Sequence, residues 1–274
     1  MRFLGLLFAI LFGMIEGITE WLPISSTGHL IILNEILPLG FTEEYHEFFL
    51  VAIQLGAILA VPFVFLKKYF SPCKSKGEKQ ERFRLLALTA VGVIPAAIVG
   101  FLFDDILDKF FYNYTVVAAM LILYGVVFIC ISNKKRGRVV KICSVEELTF
   151  KDALAIGLLQ TLSLVPGTSR SGSTFLGGYI VGASRAVSAE FSFLMAMPIM
   201  LGATALKGGK LLLSGYVLTA QELILLLVSA SVSFAVSFLS IKFLLDFVKK
   251  RSLFAFGIYR IFLGAAVILF FKFR

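Results

Sequence analysis

Two polar stretches interrupt an otherwise apolar chain, and both carry residue types that can do chemistry. The first, EGITEWLPISSTGH over 16–29, holds Glu16 and Glu20, the hydroxyls Ser25, Ser26 and Thr27, and His29, one of only two histidines. Spacing i, i+4 stacks the two carboxylates on one helix face, and such close like charges want a divalent cation or an arginine. If a helix restarts near Ser25, then Ser26 and His29 lie i, i+3, within reach for proton transfer to or from a hydroxyl nucleophile. The second stretch, VPGTSRSGST over 165–174, combines Gly167 and Gly172 with Thr168, Ser169, Arg170, Ser171, Ser173 and Thr174. A glycine, hydroxyl and arginine turn that opens a helix suits phosphate: free backbone N–H groups point at the anion and the guanidinium forks two of its oxygens. Carboxylates do not bind phosphate directly, but they hold Mg²⁺ or Ca²⁺ that bridges phosphate oxygens. Together the stretches read as a polyphosphate site, in the first place for a diphosphate. Glu16 and Glu20 would hold a metal, and Ser26 or a water would be the nucleophile.

The elements that must bring these residues together lie in a membrane. The chain has 274 residues, is 59% hydrophobic and has a mean hydropathy of +0.94, against roughly 45–50% apolar in soluble domains. Net charge is +9, but the basic residues sit in short loops, where they orient spans and meet anionic headgroups, so nucleic acid is excluded as a partner. Three cysteines without metal-like spacing indicate neither a disulfide framework nor a zinc site. The N-terminus mimics a signal peptide, but Glu16 and Glu20 sit where cleavage would fall, so it is read as structure.

Six stretches, about 48–66, 85–103, 114–132, 187–206, 222–245 and 253–271, are apolar over the ~17–25 residues a spanning helix needs. Two more apolar regions, 3–40 and 151–185, are broken midway by Pro23 and Pro166, each of which removes a backbone donor and pushes its predecessor out of the helical region. Helix, break and returning helix predict a re-entrant hairpin. Segment 67–84 carries Lys67, Lys68, Lys74, Lys76, Lys79, Arg82 and Arg84; segment 133–151 carries Lys134, Lys135, Arg136, Arg138, Lys141 and Lys151; 249–251 is KKR. Placing these loops in the cytoplasm puts both termini outside, with the first hairpin dipping from the outer face and the second from the inner. Pro23 and Pro166 are 143 residues apart (166 − 23), as are Glu47 and Glu190 (190 − 47). The expected architecture is an all-α integral membrane domain over 1–274. It comprises repeat 1 (1–132, hairpin 3–40), a cytoplasmic linker (133–150) and repeat 2 (151–274, hairpin 151–185), the second inverted because each half has three spans. Inverted repeats with broken helices converge on a site near the bilayer midplane.

Ordinary roles are open to several of these residues. Glu16 and Glu20 could line a surface helix, Ser25 or Ser26 could be an N-cap after the proline break, and His29 could be a hydrogen-bonded core residue. Arg170 could be another positive-inside residue. His46 reads as interfacial, Arg185 and Arg260 as snorkelling or pairing near helix ends, and Trp21 and Tyr112 as interfacial anchors. Convergence at two breaks favours chemistry over these readings. Two functional alternatives remain: a lipid-carrier or small-molecule transporter or flippase, the class that broken inverted repeats typify, and a phosphatase with a histidine nucleophile, which SSTGH suggests but His46 does not complete.

At these same residues the sequence closely resembles the undecaprenyl-diphosphate phosphatase family of bacterial inner membranes, linked to bacitracin resistance. The matching motifs are EGITEWLPISSTGH (16–29) and PGTSRSGST (166–174), supported by EFSFLMAMPIMLGATAL (190–206) and IYRIFLGAAV (258–267), so the match covers nearly the whole chain. The resemblance implies hydrolysis of undecaprenyl diphosphate to undecaprenyl phosphate and inorganic phosphate, recycling the lipid carrier for peptidoglycan. It implies Glu16 and Glu20 as the metal- and diphosphate-associated pair, Ser26 as nucleophile with His29 as acid/base partner, and Glu20 and Arg170 among the catalytic groups. Ser25, Thr27, Gly167, Ser169, Ser171 and Thr174 would bind phosphate. Expected partners are a polyprenyl diphosphate lipid and membrane lipids, with a homodimer left open; the expected cofactor is Mg²⁺ or Ca²⁺. The site would open on the periplasmic side.

Overall fold

The computed structural model describes residues 2–133 and 139–273. It is built from ten α-helices: α1 (Arg2–Thr19), α2 (Ser26–Ile36), α3 (Glu43–Val64), α4 (Lys76–Phe111), α5 (Tyr114–Asn133), α6 (Phe150–Gln160), α7 (Arg170–Ile180), α8 (Arg185–Leu213), α9 (Ala220–Lys250) and α10 (Phe254–Lys272). Among the described residues the only β-type pairing is one isolated bridge between Ile142 and Ala183. Six helices, α3, α4, α5, α8, α9 and α10, are long and apolar enough to cross a membrane, at the six stretches the hydropathy pattern selects. Boundaries differ: α4 and α8 run past the expected 103 and 206, to Phe111 and Leu213. The basic segment expected as a loop over 67–84 is helical from Lys76 onward, because its Lys, Glu, Gln and Arg residues are strong helix formers and carry α4 beyond its apolar part. Of the linker residues, Lys134, Lys135, Arg136 and Arg138 lie outside the described residues.

Helix direction follows from which residues meet. Gly125 of α5 packs on Gly257 of α10, and Ala118 meets Gly264, so this pair is antiparallel. The α3 and α8 helices are antiparallel too: Glu47 pairs with Lys207, and Val51 accepts a hydrogen bond from Thr204. By contrast α1 runs alongside α9 in the same direction, Ser229 Oγ donating to Ala9 O (2.8 Å) and Ser237 Oγ to Gly17 O (3.3 Å). The α6 helix runs with α4, Gly157 lying against Gly92 and Leu164 against Gly100. These seams are lined by small residues, which let backbones approach in a medium where apolar burial alone drives no association. At the α3–α9 seam a Cβ on Gly56 would stand 1.9 Å from Ala230 O, so only glycine fits.

The bundle has two chemically distinct ends. One gathers Lys67, Lys68, Lys74, Arg82 and Arg84 with the starts of α6 and α8, tied by Lys68 to Glu190 and by Arg84 to the carbonyls of Glu146 and Leu148. The other gathers Glu43, Glu44, Glu47, Asp104 and Asp105 with Lys207 and Lys210. The largest apolar core includes Trp21, Phe128, Phe191, Phe193 and Met195 and reaches the basic end through Tyr69, Leu88 and Val145.

Candidate active site

Both breaks fold locally in the same way. After α1 the chain turns at Glu20–Ser25, and α2 starts at Ser26 with Ser25 as N-cap; after a 3₁₀ turn at Thr161–Leu164, α7 starts at Arg170 with Ser169 as N-cap. Ser25 (φ 72°) and Ser169 (φ 74°) are the only non-glycine described residues with positive φ. Each hydroxyl accepts the backbone N–H three residues on, from Gly28 at 3.4 Å and Gly172 at 3.1 Å. Left-handed backbone on a serine is strained, and strain of this kind persists where the surroundings over-determine it, as at functional sites. Gly167 (φ 90°) precedes the second cap, and a Cβ there would lie 2.4 Å from Val117 O.

The two breaks meet. Ser26 Oγ donates to Glu20 Oε2 (2.8 Å), while Arg170 donates from Nε (3.2 Å) and Nη2 (3.1 Å) to Glu20 Oε1. Arg170 Nη1 also donates to Ser192 O (3.0 Å), and its guanidinium lies 5.8 Å from the Trp21 ring. Ser171 Oγ bonds the carbonyls of Glu20 (3.0 Å) and Leu22 (3.2 Å) and contacts Ser169 Oγ (3.1 Å); Thr174 Oγ1 donates to Arg170 O and shares a hydrogen bond with Ser192 Oγ. Glu20 and Ser26 are buried, and the Arg170 side chain is 11% exposed. One unbroken chain of polar contacts therefore runs from the Ser26 hydroxyl through Glu20 to Arg170. Ser26 and Thr27 open onto a cavity of about 140 Å³ also lined by Gln54, Glu47, Tyr112 and Lys207, on the acidic end of the bundle.

Three expectations are corrected. His29 does not bond Ser26: its Nδ1 lies 2.8 Å from Ser25 O and its Nε2 2.7 Å from Tyr259 Oη. A helical turn offers the imidazole an i−4 carbonyl more readily than an i−3 hydroxyl, and Ser26 is already engaged by Glu20. Trp21 is no interfacial anchor; it is fully buried, edge-on to Phe193 at 5.0 Å. Arg260 does not snorkel. It is fully buried in α10, where carbonyls of both breaks and of α5 satisfy its donors. The charge is tolerated because every hydrogen-bonding nitrogen finds an acceptor. Sequence reasoning also gave no role to Ser192, whose backbone and hydroxyl serve Arg170 and Thr174.

The donor set bears on the expected cation. Glu16 is fully buried, both its oxygens meet no hydrogen-bond donor, and its charged neighbours are Glu20 and Arg170. An orphaned carboxylate beside a second one is unfavourable at this depth unless a cation or proton joins it. Hard divalent cations take oxygen ligands of this kind, so the residues fit Mg²⁺ or Ca²⁺. Among the described residues no group of three or more His, Cys, Asp or Glu is placed to hold a metal ion, so the remaining ligands would come from substrate or water, as is usual for Mg²⁺.

Comparison with known proteins agrees with this chemistry. The family model described as "Bacitracin resistance protein BacA" matches residues 9–266. The chain is 46% identical over 270 residues to a protein named undecaprenyl-diphosphatase from Enterococcus faecalis (strain ATCC 700802 / V583), covering 98% of both chains. It is 46% identical over 271 residues to another of that name from Acetivibrio thermocellus, again 98% of both, and 46% identical over 265 residues to undecaprenyl-diphosphatase 1 of Clostridioides difficile (strain 630), covering 96% of this chain and 95% of that one.

Proposed function

Because the chain belongs to the bacitracin resistance protein BacA family, we propose that it is an undecaprenyl-diphosphatase, a membrane-embedded hydrolase. It converts undecaprenyl diphosphate to undecaprenyl phosphate and inorganic phosphate and so returns the lipid carrier to cell-wall synthesis. The observation that carries the reading is the contact chain Ser26–Glu20–Arg170, which joins a hydroxyl, a base and a phosphate-binding guanidinium from two distant parts of the sequence.

The geometry suits attack by Ser26 Oγ on the terminal phosphorus. Glu20 Oε2, already accepting the hydroxyl hydrogen, takes the proton as the Oγ–P bond forms. The bond from that phosphorus to the bridging oxygen breaks, and the bridging oxygen leaves with the lipid phosphate. Water then attacks the phosphoserine, Glu20 passing its held proton to Oγ and accepting one from water, and inorganic phosphate departs. Arg170, freed from Glu20 as that carboxylate is protonated, forks the phosphate oxygens; the N–H groups opening α2 and α7 and the hydroxyls of Thr27, Ser169, Ser171 and Thr174 complete the cradle. A divalent cation would rest on Glu16 and Glu20, and when bound it supplies positive charge that offsets the diphosphate. His29 serves in this reading by holding Ser25 O, and so the strained cap before Ser26.

We further infer that 1–132 and 151–274 are inverted-topology repeats. This is supported by the matched serine caps 144 positions apart (169 − 25) and by the antiparallel contacts of α3 with α8 and α5 with α10. The parallel contacts of α1 with α9 and α6 with α4 support it as well. In this arrangement α1–α2 and α6–α7 are re-entrant from opposite leaflets. Placing the lysine- and arginine-rich end in the cytoplasm turns the Ser26 cavity to the outer face of a bacterial inner membrane.

The test offers detergent-solubilised protein a polyprenyl diphosphate with Mg²⁺ or Ca²⁺ and follows phosphate release. One phosphate per lipid, abolished in Ser26→Ala, is expected. No release from wild type would refute hydrolysis and favour a transporter.

A further inference from the structure

Arg260 lies outside the hydroxyl, carboxylate and phosphate-cradle machinery, yet it is one of the largest fully buried side chains in the molecule. Its Nη1 donates to Pro23 O (3.2 Å) in the first break. Its Nη2 reaches Gly167 O (2.8 Å) and Thr168 O (3.0 Å) in the second, and also Met120 O (3.3 Å) on α5; Nε reaches Leu121 O (3.4 Å). The guanidinium faces the rings of Tyr124 (5.5 Å) and Phe128 (5.6 Å). Among the described residues it forms no ion pair.

A buried cation held by carbonyls alone is a poor device for stability, because a well-packed apolar side chain avoids its desolvation. The molecule supplies the comparison. Across the α5–α10 seam Gly125 faces Gly257, and Ile129 and Ile261 occupy reciprocal positions against them. In that correspondence Phe128 stands where α10 has Arg260, and it is also fully buried. A phenyl ring therefore fills one of the two matching slots. What it cannot do is bind both breaks at once. The carbonyls that Arg260 holds belong to residues one to two positions before the serine caps, Pro23 before Ser25 and Gly167–Thr168 before Ser169. Fixing them fixes where Ser26 and Arg170 emerge relative to Glu20.

We propose that Arg260 is a positioning residue that clamps the two breaks in register, so that Ser26, Glu20 and Arg170 hold their mutual contacts; this rests on the hydrolase reading above. A lysine ammonium is a point donor and cannot span the acceptors of both breaks as the planar fork does.

The experiment compares wild type, Arg260→Lys and Arg260→Gln in detergent with Mg²⁺ and a polyprenyl diphosphate, measuring kcat, KM and melting temperature. Hydrogen exchange by mass spectrometry over 20–26 and 165–172 is measured in parallel. For Arg260→Lys, kcat is expected to fall at least tenfold with KM changed less than threefold. Exchange should speed up at both breaks while α3 and α8 keep wild-type protection. Wild-type kcat, or wild-type exchange at both breaks, overturns the proposal, and so does protection lost uniformly across all helices, which would make Arg260 a general fold determinant. If wild type hydrolyses nothing, the functional reading falls, and the exchange pattern alone still decides the clamp.

Discussion

Replacing Glu20 by glutamine keeps its shape and removes its charge. In the protein Oε1 accepts two N–H groups of Arg170 and Oε2 accepts the Ser26 hydroxyl. Glutamine has one acceptor oxygen and one donor nitrogen. The better placement turns the oxygen toward Arg170, since the alternative sets donor against donor. The amide nitrogen then faces Ser26 Oγ, and the hydroxyl must accept where it previously donated. Two losses follow. Three charge-assisted hydrogen bonds become neutral-acceptor bonds or are reversed. At roughly 1.5–3 kcal/mol for bonds to charged groups against roughly 0.5–1.5 for neutral ones, the difference is about 1–1.5 kcal/mol per bond and about 3–4.5 kcal/mol of local stability for the three. Loss of the base removes about 10²–10⁴ in rate, or about 3–5 kcal/mol at about 1.4 kcal/mol per tenfold. Glu20→Gln is therefore expected to remain folded with a lowered melting temperature and to lose at least a hundredfold in kcat. The assay is phosphate release under saturating polyprenyl diphosphate, on protein shown by size exclusion to be monodisperse. A folded Glu20→Gln within threefold of wild-type kcat would refute the assignment of Glu20 as the base.

Arg170→Lys should reduce kcat/KM by about 10²-fold or more, because one ammonium cannot reach both Glu20 Oε1 and Ser192 O as the fork does; near-wild-type kcat/KM in steady-state phosphate release would count against it. Mg²⁺ or Ca²⁺ should raise the melting temperature of wild type and not of Glu16→Gln, since that carboxylate has no other partner; an equal rise in both would remove the ion from this pair. Gly56→Val should fail to yield monodisperse protein, because its side chain would start inside Ala230 O; normal yield and melting temperature would contradict the α3–α9 contact.

The spans and the two breaks were legible because their signals are local: length of apolar run, a proline and a cluster of hydroxyls. The approach of Glu20 to Arg170 was legible only through the repeated spacing of Pro23 with Pro166 and Glu47 with Glu190. Arg260 was not. Nothing near it in sequence announces that carbonyls from residues 23, 167 and 168 converge on it, and a lone arginine in an apolar helix reads by default as snorkelling. His29 misled for the opposite reason: helical spacing brought it near Ser26 in sequence, but the Ser25 carbonyl and Tyr259 captured both ring nitrogens. Ser192 and Lys207 needed tertiary placement, since single polar residues on long helices carry no pattern.

The seam between α1 and α9 joins residues 220 positions apart, which has a consequence for biogenesis. At about 5–20 residues per second, a ribosome takes on the order of 10–40 s to supply the mate of the first hairpin. Arg170, 150 positions after Glu20, arrives earlier, but until α9 follows, Glu16 and Glu20 have no settled interior around them. The nascent N-terminus must be sheltered by the insertion machinery or wait at the membrane surface, so truncation late in the chain should expose it to quality-control proteolysis.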